Sequence, residues 1–252
     1  MSFVVPGDAY DRFVGRFSRP LAPRFLDFAG VARGPVLEVG CGPGALTAAL
    51  AERVGPGAVA AVEPSEPFAA ACRARVPGAD VRTGTAESLP FADGTFSAAV
   101  SQLVITFVRD PARAMAEMAR VVAPGGTVAA CTWESRGFDP TRIFWEAALR
   151  HDPAAPDDAG LPFRRENELR RFWSAAGLRD VETATLEVEA GYTGLDDLWE
   201  PLTSGVGPPG GWLVRQPPAR QAEVRDTYHE ILGRPAGPFT LRGRAVAVRG
   251  RT

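Results

Sequence analysis

The residues best suited to chemistry stand in one glycine-rich stretch, Val36-Leu37-Glu38-Val39-Gly40-Cys41-Gly42-Pro43-Gly44. An apolar run leads directly into three alternate glycines, and a helical pattern follows. Glycine is needed where the backbone must turn sharply or let a ligand approach without a Cβ in the way. In an open α/β sheet, the first strand–helix turn lies beside the binding crevice at the carboxyl ends of the strands. The stretch therefore predicts a ligand-binding loop at Gly40 and Gly42.

An acidic residue, Glu63, ends the next predicted strand. A carboxylate at this position can accept hydrogen bonds from both hydroxyls of a ribose, in nicotinamide cofactors and in other adenosine ligands alike. The glycine loop matches the dinucleotide pattern G-x-G-x-x-G/A at Gly40, Gly42 and Ala45. Pro43 counts against a pyrophosphate, because it removes one N–H from a loop that would donate to an anion. An NAD(P)-dependent oxidoreductase and an enzyme for another adenosine ligand both stay open here.

The elements around these residues form a repeating βα pattern. Short apolar runs alternate with helical stretches between about residues 20 and 130, which is typical of a parallel sheet covered on both faces. We predict a doubly wound, mostly parallel seven-stranded Rossmann-like α/β sheet with an antiparallel last strand and a helical or loop lid. The predicted strands are 36–39, 58–62, 79–83, 98–104, 126–132, 181–189 and 239–248.

The chain is predicted to be a single domain, 1–252. Its parts are an N-terminal cover at 1–33, a core at 34–133, and substrate-lid insertions at 134–165 and 191–237.

Composition excludes several classes of protein. The chain has 28 basic residues, all of them arginine, and 30 acidic residues, so its net charge of −2 shows no nucleic-acid footprint. The absence of lysine removes Schiff-base and P-loop lysine mechanisms. No apolar run approaches the roughly 18–20 residues that span a bilayer, and the N-terminus has no signal-peptide pattern. Three cysteines fit no zinc motif. We therefore predict a cytoplasmic monomer or homodimer without a metal, a membrane or a nucleic-acid partner.

Four motifs in order resemble those of class I S-adenosylmethionine-dependent methyltransferases. They are Glu38–Gly44, Glu63-Pro64-Ser65, Gly84–Phe96 and Glu117–Gly126. The type 11 family, which includes proteins similar to the ubiquinone and menaquinone C-methyltransferases, shows the best resemblance. It covers residues 8–132, and beyond 133 only the general layout matches. The resemblance implies S-adenosylmethionine as the cofactor and methyl transfer as the activity.

The resemblance also implies a role for each matching residue. Two departures are Thr85, where the family commonly has Asp, and Glu38, where Asp is more usual. The implied roles are the methionine end for Glu38, Gly40 and Gly42; the ribose hydroxyls for Glu63; the adenine for Thr85, Ala86 and Glu87; the neighbourhood of the sulfonium for Gln102; and closure over the amino-acid end for Tyr10 and Arg19.

Tryptophan and tyrosine concentrate after residue 132, where the aromatic residues either line an apolar pocket for the methyl acceptor or form plain core. Trp199 and Trp212 flank the first part, 201–210, of a Gly/Pro-rich segment, 201–218, which predicts a mobile loop suited to a lid. The acceptor is predicted to be a small, mostly apolar or aromatic molecule. The candidate acceptor-binding residues are Phe144, Trp145, Tyr192, Trp199 and Trp212.

Transfer from a sulfonium is an in-line displacement, and it needs a general base only when the acceptor must lose a proton. The chain has two histidines, His151 and His229, and each is either that base or a partly exposed helix residue. Two alternatives to methyl transfer remain at this point. One is the NAD(P)-dependent oxidoreductase, and the other is a protein that binds the cofactor without transferring its methyl group.

Overall fold

A computed structural model describes residues 10–252. The strands that it contains are β1 (Val36–Val39), β2 (Val59–Glu63), β3 (Asp80–Thr83), β4 (Phe96–Gln102), β5 (Val122–Phe138), β6 (Arg179–Tyr192) and β7 (Phe239–Arg251). Within the described residues they form one seven-stranded sheet in the order β3-β2-β1-β4-β5-β7-β6. The first five strands pair in parallel. Thr252, which follows β7, exchanges hydrogen bonds with Gly125 and Gly126 at the start of β5, so β7 runs antiparallel to β5. The predicted fold class is confirmed.

Helices fill the connections between the strands. In chain order they are α1 (Arg16–Ala29), α2 (Ala45–Val54), α3 (Glu66–Arg75), α4 (Pro111–Val121), α5 (Asp139–His151), α6 (Glu166–Ala175), α7 (Leu195–Thr203), α8 (Gly207–Leu213) and α9 (Pro218–Ile231). A π-helix at Asp11–Gly15 precedes α1. No helix among the described residues is long and apolar enough to cross a membrane.

Burial explains why the central strands read as continuous apolar runs. Every residue of β1 and of β2 is buried, including the two carboxylates Glu38 and Glu63. Strands covered on both faces need apolar side chains on both faces, so they lose the alternation of a half-exposed strand. Only Val81 is buried in β3, the edge strand. The two carboxylates therefore interrupt a strongly apolar environment, which marks them as functional candidates.

The described residues divide into two compact units. We call one the glycine-loop unit, which comprises Ser18–Thr132, Pro162–Leu186 and Ala245–Thr252. We call the other the aromatic unit, which comprises residues 10–17, Trp133–Leu161 and Glu187–Arg244. Part of the predicted N-terminal cover, 1–9, lies outside the described residues. The division into a cover, a core and two insertions stays a prediction.

The prediction of a mobile loop at 201–218 is wrong, because α7 ends at Thr203 and α8 occupies Gly207–Leu213. The prolines of this segment do not indicate a loop. They stand in the first turn of α8, where a backbone N–H would have no hydrogen-bond partner within the helix. The glycine signal was misleading for a different reason. A Cβ at Gly210 would lie 2.8 Å from the Leu202 carbonyl oxygen, so glycine here permits close packing.

Candidate active site

The glycine loop between β1 and α2 holds three left-handed residues. Gly40, Gly42 and Gly44 have φ of +79°, +51° and +91°, a region that favours glycine. The N–H of Gly40 donates to the Val62 carbonyl oxygen at 2.8 Å. A Cβ at Gly40 would lie 2.6 Å from Val104 Cγ2, whereas a Cβ at Gly42 would meet nothing within 4 Å. The loop therefore leaves open space above Gly42, as a cradle for a ligand requires.

Glu63 is linked directly to this loop. Its Oε2 accepts from the Gly42 N–H at 2.9 Å, and its Oε1 accepts from the Ser65 N–H at 3.0 Å. The residue is only 7% exposed. Burial raises the pKa of the Glu63 carboxyl, and the N–H groups of Ser65 and Gly42 oppose that rise. Each oxygen retains a free lone-pair direction, so the carboxylate is held rigidly and can still accept from hydroxyl groups.

Glu38 has a partner that sequence reasoning missed. Its Oε2 accepts from Thr47 Oγ1 at 2.5 Å, and Glu38 is 1% exposed. Burial raises the pKa of Glu38 well above its ordinary value, and the Thr47 hydroxyl works in the opposite direction. The sequence signal for Thr47 is a single hydroxyl on the buried face of α2, which it shares with Leu46 and Leu50. Thr47 thus connects the first turn of α2 to the strand before the loop.

This buried carboxyl makes stability depend on pH. Its folded pKa lies above the unfolded value, so the native state binds more protons, and the wild-type free energy of unfolding falls as pH rises from about 4.5. Glu38→Gln removes this titration. The difference in unfolding free energy, variant minus wild type, should therefore grow with pH by up to about 1.4 kcal/mol per pH unit between about 4.5 and the raised pKa of Glu38. Above the raised pKa the difference should level off. Urea unfolding curves across the window measure this difference. Parallel pH profiles for the two proteins would contradict the assignment.

The strand register brings three predicted residues to one level of the sheet. Val39 pairs with Val62 between β1 and β2, and Glu38 pairs with Val100 between β1 and β4. Extending these pairs along the strands places Gly40 beside Glu63, which follows Val62 in β2. On the other side, Gly40 lies beside Gln102, two residues after Val100 in β4. Because paired residues in a sheet project to the same face, Glu63 and Gln102 share a face of the sheet. Their predicted roles toward a ligand stay predictions.

The segment after β3 lies beside Glu63. The Gly84 N–H donates to the Glu63 carbonyl oxygen at 3.2 Å, which places Thr85 one residue beyond. Thr85 forms an isolated antiparallel bridge with Ser88, and the following Ala86 packs against the core. In Glu87, burial acts to raise the carboxyl pKa, but backbone N–H groups, including that of Asp110, outweigh it and hold the pKa below its ordinary value.

Tyr10 and Arg19, the two predicted closing residues, belong to different units. Tyr10 is half-buried and precedes the π-helix in the aromatic unit. Arg19 is exposed on α1 in the glycine-loop unit. Their predicted closure over the cofactor stays a prediction.

The five predicted acceptor-binding residues all lie buried in the aromatic unit. Phe144 contacts three other rings, with centroid distances of 5.1 Å to Trp145, 6.2 Å to Trp199 and 5.9 Å to Trp212. Tyr192 stacks on Phe239 at 5.4 Å. The indole Nε1 of Trp145 and the hydroxyl of Tyr192 are buried without a hydrogen-bond partner within residues 10–252. The rings thus form core, and two of them still carry an unsatisfied donor.

Both histidines lie in the aromatic unit, on α5 and α9. His151 Nε2 lies 2.7 Å from Thr227 Oγ1, and its Nδ1 lies 3.8 Å from a Glu223 carboxylate oxygen. His229 Nε2 lies 3.5 Å from the Pro235 carbonyl oxygen. A proton carrier needs a ring nitrogen within reach of the substrate, and the Thr227 hydroxyl occupies Nε2 of His151. A catalytic role for either residue stays a prediction.

Trp212 is the most direct test of the buried rings. Trp212→Ala should lower the free energy of unfolding by about 3–5 kcal/mol, because it leaves a cavity among packed aromatic side chains. Trp212→Phe keeps a ring and should lose clearly less. Denaturant unfolding followed by fluorescence measures both variants. Near wild-type stability in the alanine variant would show that the indole is not part of this core.

Comparisons with known proteins agree with this geometry. A family model described as a methyltransferase domain matches residues 37–130. The chain is 32% identical to malonyl-[acyl-carrier protein] O-methyltransferase from Geobacter sulfurreducens over 156 residues, which are 61% of this chain and 58% of that protein. The chain thus spans less than two thirds of that relative.

A second relative and one solved structure extend the comparison. Phosphatidylethanolamine N-methyltransferase from Cereibacter sphaeroides is 30% identical over 149 residues, which cover 57% of this chain and 72% of that protein. The structure of geranyl diphosphate C-methyltransferase from Streptomyces coelicolor matches with a TM-score of 0.52 and 16% identity, over 92% of this chain and 77% of that chain. At this identity the likeness shows the fold. The predicted resemblance is confirmed, and the chain belongs to the class I S-adenosylmethionine-dependent methyltransferases of type 11.

Proposed function

We propose that this protein transfers a methyl group from S-adenosylmethionine to a small, mostly apolar or aromatic acceptor. The observation that carries the proposal is the hydrogen bond from the Gly42 N–H to the Glu63 carboxylate, which joins the glycine loop to a ribose acceptor. The residues fit this cofactor, since the space above Gly42 is open and Glu63 retains lone pairs for two hydroxyls. The Streptomyces neighbour is a complex with S-adenosyl-L-homocysteine, which supports the same choice.

The cofactor supplies a methyl group that is already activated on a sulfonium. The chain's own residues therefore bind and orient rather than activate a leaving group. Glu63 would hold the ribose hydroxyls, Gly40 and Gly42 would lie at the methionine end, and Glu38 braces the loop through Thr47. Thr85, Ala86 and Glu87 would contact the adenine, and the closing roles of Tyr10 and Arg19 at the amino-acid end stay predictions.

The chemistry of the acceptor is inferred from the aromatic unit. Its buried rings make this unit apolar, and two buried donors, Trp145 Nε1 and the Tyr192 hydroxyl, lack a partner among the described residues. Such donors favour an acceptor that carries at least one oxygen within an apolar body. The names of the relatives include an O-methyltransferase and an N-methyltransferase, so membership of the family does not select the acceptor atom.

The proposal assigns no general base. The two histidines, His151 and His229, both belong to the aromatic unit. His151→Ala and His229→Ala, assayed with the same acceptor, decide whether either residue takes a proton. A base would show as a lost ionisation in the pH profile of kcat/KM. An unchanged profile in both variants would exclude the two histidines as the base.

The test of the function uses S-adenosylmethionine with a deuterated methyl group. Purified protein is incubated with it and with a small-molecule extract, and mass spectrometry searches for products that carry the label. We expect labelled small molecules together with S-adenosylhomocysteine. Binding of the cofactor without any labelled product would favour a protein that does not transfer, and competition by NAD would favour the oxidoreductase. A labelled polynucleotide or protein would overturn the small-molecule acceptor.

The cellular location and the oligomeric state of the protein are also proposals. Cys41, Cys72 and Cys131 are buried free thiols, which is ordinary for a reducing compartment. A cytoplasmic location, and action as a monomer or homodimer on a small molecule, are consistent with this.

A further inference from the structure

Two thiols meet where the glycine loop packs against α3. Cys41 stands in the loop between Gly40 and Gly42, and Cys72 lies on the buried face of α3. The two side chains belong to one buried cluster and are hydrogen-bonded to each other. Both are free thiols. The structure therefore places two oxidisable sulfur atoms in contact at the loop that is proposed to bind the cofactor.

Gly44 explains how the loop comes so close to the helix. A Cβ at Gly44 would lie 2.9 Å from Cys72 Sγ and 3.2 Å from Cys72 Cα. The Gly44 N–H donates to the Cys41 carbonyl oxygen at 2.9 Å, so the same turn carries both residues. A disulfide needs two backbones that approach closely, with Cα atoms about 4.4–6.8 Å apart. Glycine at position 44 permits such an approach.

Cys72 is also connected to the carboxyl group before the loop. Its Sγ donates to Thr47 Oγ1 at 3.3 Å, and the Thr47 hydroxyl donates to Glu38 Oε2 at 2.5 Å. A disulfide would remove both S–H groups, so Thr47 would lose its donor. It would also draw Cys41 toward α3, and with it the turn between Gly40 and Gly42. Oxidation of the two thiols would therefore change the geometry of the glycine loop.

The two thiols differ in reactivity. The hydrogen bond with Cys41 outweighs burial and lowers the pKa of Cys72 to about 7, whereas the same contact, together with burial, raises the pKa of Cys41. The thiolate is the nucleophile in cysteine oxidation, so Cys72 is the attacking sulfur and Cys41 the resolving one. Neither residue is more than 5% exposed. The oxidant must therefore be about as small as water, and hydrogen peroxide meets that condition.

We propose that Cys41 and Cys72 form a peroxide-sensitive dithiol whose oxidation to a disulfide weakens the binding of S-adenosylmethionine at the glycine loop. The Cys72 thiolate attacks one oxygen of hydrogen peroxide, the O–O bond breaks, and the released hydroxide takes up the proton that Cys72 lost and leaves as water. The Cys41 sulfur then attacks the sulfenic acid and expels its oxygen as a second water. The two thiols lose two electrons, which the peroxide gains. The effect on affinity rests on the proposed function, whereas formation of the disulfide does not.

The test detects the bond and the affinity separately in the full chain. Trypsin cleaves after arginine and places Cys41 in peptide 34–53, Cys72 in peptide 54–73 and Cys131 in peptide 121–136. After treatment with hydrogen peroxide and blocking of the remaining thiols with N-ethylmaleimide, mass spectrometry should find peptide 34–53 joined to peptide 54–73. Calorimetric titration of the oxidised protein should show about tenfold weaker binding of S-adenosylmethionine, a usual size for coupled sites. Dithiothreitol should reverse both changes.

Cys131→Ala is the matched control. Cys131 is also a buried free thiol, but it lies in β5 and outside the cluster that holds Cys41 and Cys72. This variant should form the linked peptide and lose affinity as the wild type does. Cys72→Ala should instead have the same affinity before and after peroxide. Cys72→Ser, which keeps a donor for Thr47, serves as a second variant if the alanine protein unfolds, and thermal melting confirms that each variant is folded.

Three results would overturn the inference. They are peroxide-treated wild type without the linked peptide, the linked peptide with unchanged affinity, and a loss of affinity in Cys72→Ala as large as that of the wild type, which would place the oxidation elsewhere. A reduced wild type that forms the linked peptide but binds no S-adenosylmethionine would support the dithiol and overturn the proposed function.

Discussion

Gly42→Ala should weaken binding of S-adenosylmethionine at least tenfold while costing the protein only about 1–2 kcal/mol of stability. Gly42 has φ of +51°, and a Cβ there would meet no protein atom within 4 Å. The stability cost is therefore the strain of a left-handed residue. The affinity loss has a different cause, because the methyl group would fill the open space that the ligand is proposed to use. Calorimetric titration and urea unfolding measure the two effects separately.

The matched control for this prediction is Gly177→Ala. Gly177 follows α6 in the same unit, has φ of +81°, and also has nothing within 4 Å of an added Cβ. Its alanine variant should lose similar stability and keep its affinity for the cofactor. If both variants lose affinity to the same degree, the effect comes from general destabilisation and the loop is not the cradle.

Loss of the Glu63 carboxylate should weaken cofactor binding by about 1–3 kcal/mol, which is the value of hydrogen bonds to a charged acceptor. Glu63→Gln should lose nearly as much as Glu63→Ala. Both carboxylate oxygens accept from backbone N–H groups, those of Gly42 and Ser65, so an amide NH2 would place two donors against each other. The loop would then lose its hydrogen bond from the Gly42 N–H to residue 63 as well as the acceptor for the ribose hydroxyls.

A ligand without the ribose hydroxyls separates these two contributions. Wild-type protein should prefer S-adenosylhomocysteine over an analogue that lacks both ribose hydroxyls, and the Glu63 variants should lose that preference. Because burial raises the Glu63 pKa, wild-type affinity should also fall as pH decreases through the raised value, since protonation removes an acceptor. A preference for the hydroxyls that survives in Glu63→Ala would remove this residue from the ribose site.

Local sequence determined much of the glycine-loop unit. The prediction of β1 at 36–39 and of α2 at 45–54 is confirmed to the residue, because a short apolar run, a glycine turn and a helical pattern are local signals. Glu63 was also found from sequence, since a carboxylate that ends a buried strand needs a reason to be there.

Tertiary structure alone decided what these residues contact. The hydrogen bond from Gln102 Nε2 to the Ser18 carbonyl oxygen joins positions 84 apart in the chain, and Thr47 reaches Glu38 only after α2 packs on β1. The segment around 201–218 is helical because its glycines and prolines serve close packing and a first helical turn, which local composition cannot distinguish from a loop. Periodicity is a property of neighbours in sequence, whereas hydrogen-bond partners and ring contacts depend on the packing of distant elements.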